Sequence, residues 1–201
     1  MGMCAVLITL GDVNIARLLH DPPLIWQLVA PDDPEPYEEA RAQQQKPTLL
    51  TRIFGRGRQA SSVPDLQLSA GEGVSTDLDK AWHGIHYLLT ATAWEGEPPR
   101  NFLVGSGRAV GDIEVGYGPA RAFTAAETLQ VRDALRALSD NDLRARFHPT
   151  DMIEKQIYPE IWTRDPEQDD TLGYLMEYVQ PLRGFFDQTV RDGLGFVVSI
   201  R

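Results

Sequence analysis

A chain of 201 residues is long enough to bury roughly 70% of its unfolded surface, so one domain can stand without disulfides or a structural metal. Its single cysteine, Cys4, excludes an intramolecular disulfide, and 19 basic against 29 acidic side chains give a net charge of −10, a field that opposes broad contact with nucleic acid or an anionic membrane. With no stretch near the about 20 apolar residues that span a bilayer, no basic start to an export signal, and Val6 where a myristoylation motif wants Ser or Thr, the expected compartment is the cytoplasm.

Residues 3–10, MCAVLITL, are apolar and β-branched enough for a buried strand, ended by Gly11. Asp12 then reads as the N-cap of a short helix with Val13, Ala16 (or Ile15) and Leu19 on one face. Pro22 and Pro23 break it, and Pro23 suits the first turn of another helix through residues 24–29. The character changes over residues 31–73, where prolines, charges and glycines predict an irregular insertion with one helical turn at residues 38–44. Leu49, Leu50, Ile53 and Phe54 offer anchors for its middle. Arg52, Arg56 and Arg58 form a dense positive patch, read either as solvated loop or as a contact for phosphate or an acidic partner.

Thr76-Asp77-Leu78-Asp79 has the form of a helix start, and the segment behind it places Leu78, Trp82, Ile85 and Leu89 at helical spacing through residue 94. Phe102-Leu103-Val104 and residues 113–115 read as short strands joined by glycine-rich turns. Thr124 and Glu127 make a capping box for a helix whose apolar face holds Leu129, Leu135 and Leu138, followed by a short helix over residues 140–147. A last helix begins near Thr171, with Leu172, Leu175, Met176, Val179, Leu182 and Phe186 at helical spacing; Pro181 either kinks it or opens a second segment. Gly193 closes it and GFVVSI is a final buried strand. The expectation is one mixed α/β (α+β) domain over residues 1–201, with a small central mixed sheet that includes both terminal strands and is covered by helices.

Four pieces carry a resemblance: the initial MGM ahead of a strand, LDKAWHGIHYLLTATAW, GYGPARAFTAAE, and RARFHPTDM with IYPEIW downstream. In this order, and covering most of the chain outside residues 31–73, they resemble the YfbM-like family of bacterial domains of unknown function. That family usually has Gly after LLT, where this chain has Ala91. The resemblance implies a mixed α/β fold and transfers no catalytic residue.

His83 and His86 roughly share a helix face, but two imidazoles fall short of the three or four protein ligands zinc takes, so no metal is expected and His86 reads as a hydrogen-bonding group. FLVGSGRAVG has neither the glycine spacing nor the following helix of a dinucleotide loop and reads as a hairpin; no cofactor is implied. Ser106 lacks the flanks of a nucleophile elbow, and Cys4 lies in a strand, where burial keeps a thiol protonated. In GYGPAR, Tyr117 and Arg121 offer donors to an anion, against the plainer reading that Arg121 pairs with Asp112 or Glu114. Tyr158-Pro159 and Trp162 read as an aromatic corner. Should these loops converge at the end of the helix, His86, Thr90, Tyr117, Arg121, Tyr158 and Trp162 would line one cleft.

Two functions compete. The first is a non-catalytic binding module for a protein partner, a basic one if the net charge steers it, with immunity-type neutralisation of a toxin as one concrete form. The second is an enzyme or ligand-binding protein with His86 as acid/base and Arg121 as anion clamp.

Overall fold

In the computed structural model, residues 2–44 and 65–201 are described. The first strand, β1 (Ala5–Leu10), leads into α1 (Asp12–His20), a 3-10 turn at Pro22–Leu24, α2 (Ile25–Val29) and α3 (Glu35–Gln44). Next come β2 (Ser75–Asp77), a 3-10 turn at Asp79–Ala81 and α4 (Trp82–Thr90). The chain continues through β3 (Arg108–Glu114), β4 (Pro119–Phe123), α5 (Ala125–Arg136), α6 (Asp140–Ala145), α7 (Pro149–Glu154), α8 (Thr171–Arg191) and β5 (Gly195–Ile200).

Among the described residues the strands form one sheet in the order β2-β1-β5-β4-β3, so the two terminal strands lie side by side and β5 is central. Their apolar runs suit that position, because both faces of an inner strand are covered. Every pairing is antiparallel, including the one between β1 and β5; the sheet is mixed neither in β1–β2 nor in β3–β4–β5. On one face α4, α5 and α8 bury Leu7, Phe123, Phe196 and Val198. On the other, α1 and α2 bury Ile8, Leu10, Ala120, Ala122 and Val197. Phe123 and Phe196, partners in the β4–β5 register, stack at 4.4 Å.

Several elements differ from the sequence reading, each for a local reason. On α1 the buried face is Asn14, Ile15 and Leu18, while Val13 is 78% exposed. Asn14 earns its buried place by donating from its amide to Glu72 and to the Gln67 carbonyl, at 3.0 Å each. Asp12 is the first helical residue, and its carboxylate accepts from the Ala125 N–H at the start of α5. Residues 35–44 are a full helix, held by the Arg41 fork on Asp21, at 2.6 and 2.5 Å. The arginine patch at 52, 56 and 58 and the anchors at 49, 50, 53 and 54 lie outside the described residues. Thr76 and Asp77, read as the opening of a helix start that runs to Asp79, instead lie in the edge strand Ser75–Asp77 that pairs with β1. Phe102–Val104 turn instead of extending, with the Val104 and Gly105 N–H groups both donating to the Asn101 carbonyl. The Thr124 capping box forms, whereas Leu129 is exposed and Val131 takes its place in the core. Helix α8 runs through Pro181 as a single element.

Candidate functional site

Helix α4 is buried around its whole circumference, every residue from Trp82 to Leu89 being enclosed, His83 and His86 included. It packs among the elements of the larger core rather than on its surface, so its histidines are enclosed. The Nδ1 atom of His83 accepts from the Tyr158 N–H at 3.0 Å, so Nε2 carries the proton and donates to the Ala93 carbonyl at 2.7 Å. Trp82 stacks on this imidazole at 4.7 Å and Trp94 covers it at 4.4 Å. Burial pushes its pKa down, against the pull of the Ala93 carbonyl. Both ring nitrogens are thus committed to the backbone, leaving no lone pair for a metal.

His86 lies one turn on, 6.4 Å from His83 between ring centres. Its Nε2 is 3.2 Å from Thr90 Oγ1, which itself donates to the His86 carbonyl, while the buried Nδ1 meets no partner at normal hydrogen-bond geometry among the described residues. Burial first, then the charges of His83 and Arg121, push its pKa down to about 4, with the Glu95 carbonyl opposing. The ring is neutral at pH 7 and has no exposure to solvent.

Arg121 stands on β4 opposite Ala109 and Val198, on the sheet face that looks toward α4. Its Nη1 donates to the Ser106 carbonyl at 2.9 Å and its Nη2 to the Phe102 carbonyl at 3.2 Å. Neither Asp112 nor Glu114 pairs with it, and among the described residues no carboxylate does. Burial pushes its pKa down to about 10, so the guanidinium still carries its charge at neutral pH. It lies at a recess of about 220 Å³ walled by Trp94, Val104, Tyr117, Pro119, Val198 and Ile200. Two larger openings, of about 460 and 400 Å³, flank Trp26 beside α3 and are lined by acids such as Glu39 and Asp33 in place of a cation.

The β3–β4 turn builds one side of that recess. The Tyr117 N–H donates to the Ile200 carbonyl at 2.8 Å, which fastens the turn to the end of β5. A Cβ on Gly116 would stand 2.5 Å from that same carbonyl, and Gly118 has φ +103°, so both positions need glycine. Tyr117, held between them, is 55% exposed; Trp94 across the recess is 53% exposed.

Of the six residues named from sequence, Tyr117 and Arg121 share the recess, while His86 and Thr90 bond to each other and are not part of its lining. Tyr158 and Trp162 do not join them. The Tyr158 hydroxyl accepts from the Met3 N–H at 3.1 Å, and Trp162 is buried with its indole donating to the Ile157 carbonyl at 2.6 Å. Trp94 belongs to the recess and was missed, because the helical pattern was carried through residue 94 whereas α4 ends at Thr90. The signal was present in the sequence: the Glu-Gly-Glu-Pro that follows is a chain leaving a helix.

The family model described as "Domain of unknown function (DUF1877)" matches residues 1–199. Among solved structures, the crystal structure of a protein of unknown function, YfbM from Escherichia coli, is similar at a TM-score of 0.61 and 19% identity, over 98% of this chain and 99% of that one. At that identity the likeness speaks to the fold. A search of curated proteins gave no match.

Proposed function

The chain belongs to the DUF1877 family of domains of unknown function, and from that premise we propose that it is a non-catalytic binding module that receives a protein partner at the Arg121 recess. One observation carries this reading: a recessed guanidinium, without a carboxylate partner among the described residues, lies between two exposed aromatic residues, Trp94 and Tyr117. Trp, Tyr and Arg are the residue types that dominate binding energy in protein interfaces, and they do so from pockets that exclude water. The size of the recess points the same way. About 220 Å³ falls below the roughly 300–1,000 Å³ of most small-molecule sites and suits one side chain of a larger partner.

The enzymatic alternative rested on His86 as acid/base. A general acid or base must reach its substrate within about 3 Å. His86 is fully enclosed, lies outside the recess lining and is neutral, so that reading has lost its proton carrier. The net charge of −10 favours a basic partner, since complementary fields speed encounter. Neutralisation of a basic toxin is one form such binding would take.

The test is co-purification of tagged protein from its native host, with mass spectrometry of proteins and small molecules, beside the Trp94→Ala/Tyr117→Ala variant. A protein retained by the wild type, released by raised salt and absent from the variant supports the reading. A partner held equally by both, or a small molecule with no protein, overturns it.

A further inference from the structure

We infer that the Arg121 recess takes the C-terminal residue of its partner, the terminal carboxylate meeting the guanidinium and the side chain resting on Val104 and Ile200. This inference deepens the reading above and rests on it.

A guanidinium carries five N–H donors in a planar fork. Arg121 commits one from each of two nitrogens, to the carbonyls of Ser106 and Phe102. Both acceptors are neutral, so they hold the group in place without offsetting its charge. The remaining donors suit a planar anion, and a carboxylate is satisfied by such a fork alone. A phosphate offers more oxygens and more charge, and the other walls are poor in donors for it: Val104, Pro119, Val198 and Ile200 are apolar. Among the described residues, the hydroxyl of Ser106, whose carbonyl Arg121 holds, is also buried without a partner, although Ser106 does not line the recess.

The apolar walls decide between kinds of carboxylate. An Asp or Glu side chain would offer its charge and leave the half-buried Val104 and Ile200 uncovered. A chain-terminal residue brings a carboxylate and a separate side chain in one residue-sized volume, which matches about 220 Å³. Trp94 and Tyr117 then flank the residues that lead into the recess. The overall charge sorts the source. A field of −10 repels small anions free in solution, whereas a carboxylate at the end of a basic segment arrives with its own cations.

The experiment uses the whole chain, labelled with nitrogen-15, and follows the Trp94 indole, the Tyr117 amide and the Arg121 Nε–H resonances. Four probes are titrated: the peptide Lys-Lys-Gly-Leu with a free carboxylate, its C-terminal amide, N-acetyl-leucine and sodium acetate. The free peptide should shift all three resonances saturably, and the amide should bind about tenfold weaker or worse, the factor expected for losing a charge-assisted pair. Arg121→Lys should weaken the free peptide several-fold. Because that variant disturbs two backbone contacts, Val104→Phe serves as a second: it fills the recess, leaves Arg121 in place and should abolish the shifts. Acid and amide binding alike, or no probe shifting these resonances, overturns the inference; N-acetyl-leucine binding as well as the basic peptide overturns it in favour of a free carboxylic acid. A protein partner still lost on Trp94→Ala/Tyr117→Ala in any of these cases leaves the broader reading standing.

Discussion

The backbone N–H of Tyr158 donates to Nδ1 of His83 at 3.0 Å, and that bond fixes the proton on the other ring nitrogen, where it reaches the Ala93 carbonyl. One imidazole therefore ties α4 to the turn after it and to the segment following α7. It acts as a brace between three pieces of chain.

Replacing that brace should be costly. His83→Ala leaves the Tyr158 N–H and the Ala93 carbonyl without their partner and opens a void between Trp82 and Trp94. Each lost partner in a buried setting costs about 1–3 kcal/mol, so a total on the order of 3 kcal/mol is expected. Urea denaturation measures it. A midpoint that does not move would mean that water replaces the ring at both positions.

Ala91 ends α4 in the left-handed conformation, φ +60° and ψ +22°, with its N–H on the Tyr87 carbonyl at 2.7 Å. Glycine adopts that conformation without the roughly 1–2 kcal/mol that a Cβ costs there. Ala91 is exposed and its methyl is no part of the core. Ala91→Gly should therefore raise stability by about 0.5–1 kcal/mol, after the extra entropy of glycine in the unfolded chain is subtracted. Thermal unfolding of the pair of proteins checks the sign; a lower melting temperature would contradict it.

The opposite change fails one helix turn into α4. A Cβ on Gly84 would stand 2.6 Å from Leu175 Cδ2 and 2.8 Å from Trp162 Cη2. Both neighbours are fully buried, so neither can swing into solvent. In an isolated helix, Ala is about 1 kcal/mol better than Gly. Here overpacking reverses that order, and Gly84→Ala should destabilise by about 1–3 kcal/mol. A stabilised variant would show that α8 can move away from α4.

These residues also show what could be read in the chain and what could not. The terminal strands were legible because their apolar runs are long, and the α5 start because Thr124 and Glu127 satisfy each other locally. The apolar face of α8 was legible as well, with Leu175, Val179, Leu182 and Phe186 all buried. Where a distant polar contact decides, periodicity has nothing to report. Asn14 turns α1 by bonding Glu72, and Ser75–Asp77 becomes a strand only because β1 is there to pair with it. The site was half legible for the same reason. Tyr117 and Arg121 stood out through their glycines, but Arg121 holds two carbonyls from a turn far back in sequence, not the nearby acids.

The enclosed His86 makes stability depend on pH in a defined window. Its pKa is about 4 in the folded protein, against 6.5 for an ordinary histidine. Between those values the unfolded chain binds a proton that the folded protein refuses, so stability must fall as pH falls from about 6.5 to about 4. Above 6.5 both states are neutral at this residue and its contribution is constant; below about 4 both are charged and the loss levels off. At 1.36 kcal/mol per pKa unit the full loss is on the order of 3 kcal/mol. His83 shifts in the same direction and adds to the slope, and Glu72, whose pKa is lowered by backbone and Asn14 hydrogen bonds despite its burial, adds to it at the acid end. His86→Gln isolates the one group: it removes the titration and keeps a donor and an acceptor in the same place. Urea midpoints measured from about pH 8 down to about pH 4.5 should fall steeply in the wild type and less in the variant. Parallel curves would show that His86 is protonated without strain, and therefore that its surroundings are wetter than this packing allows.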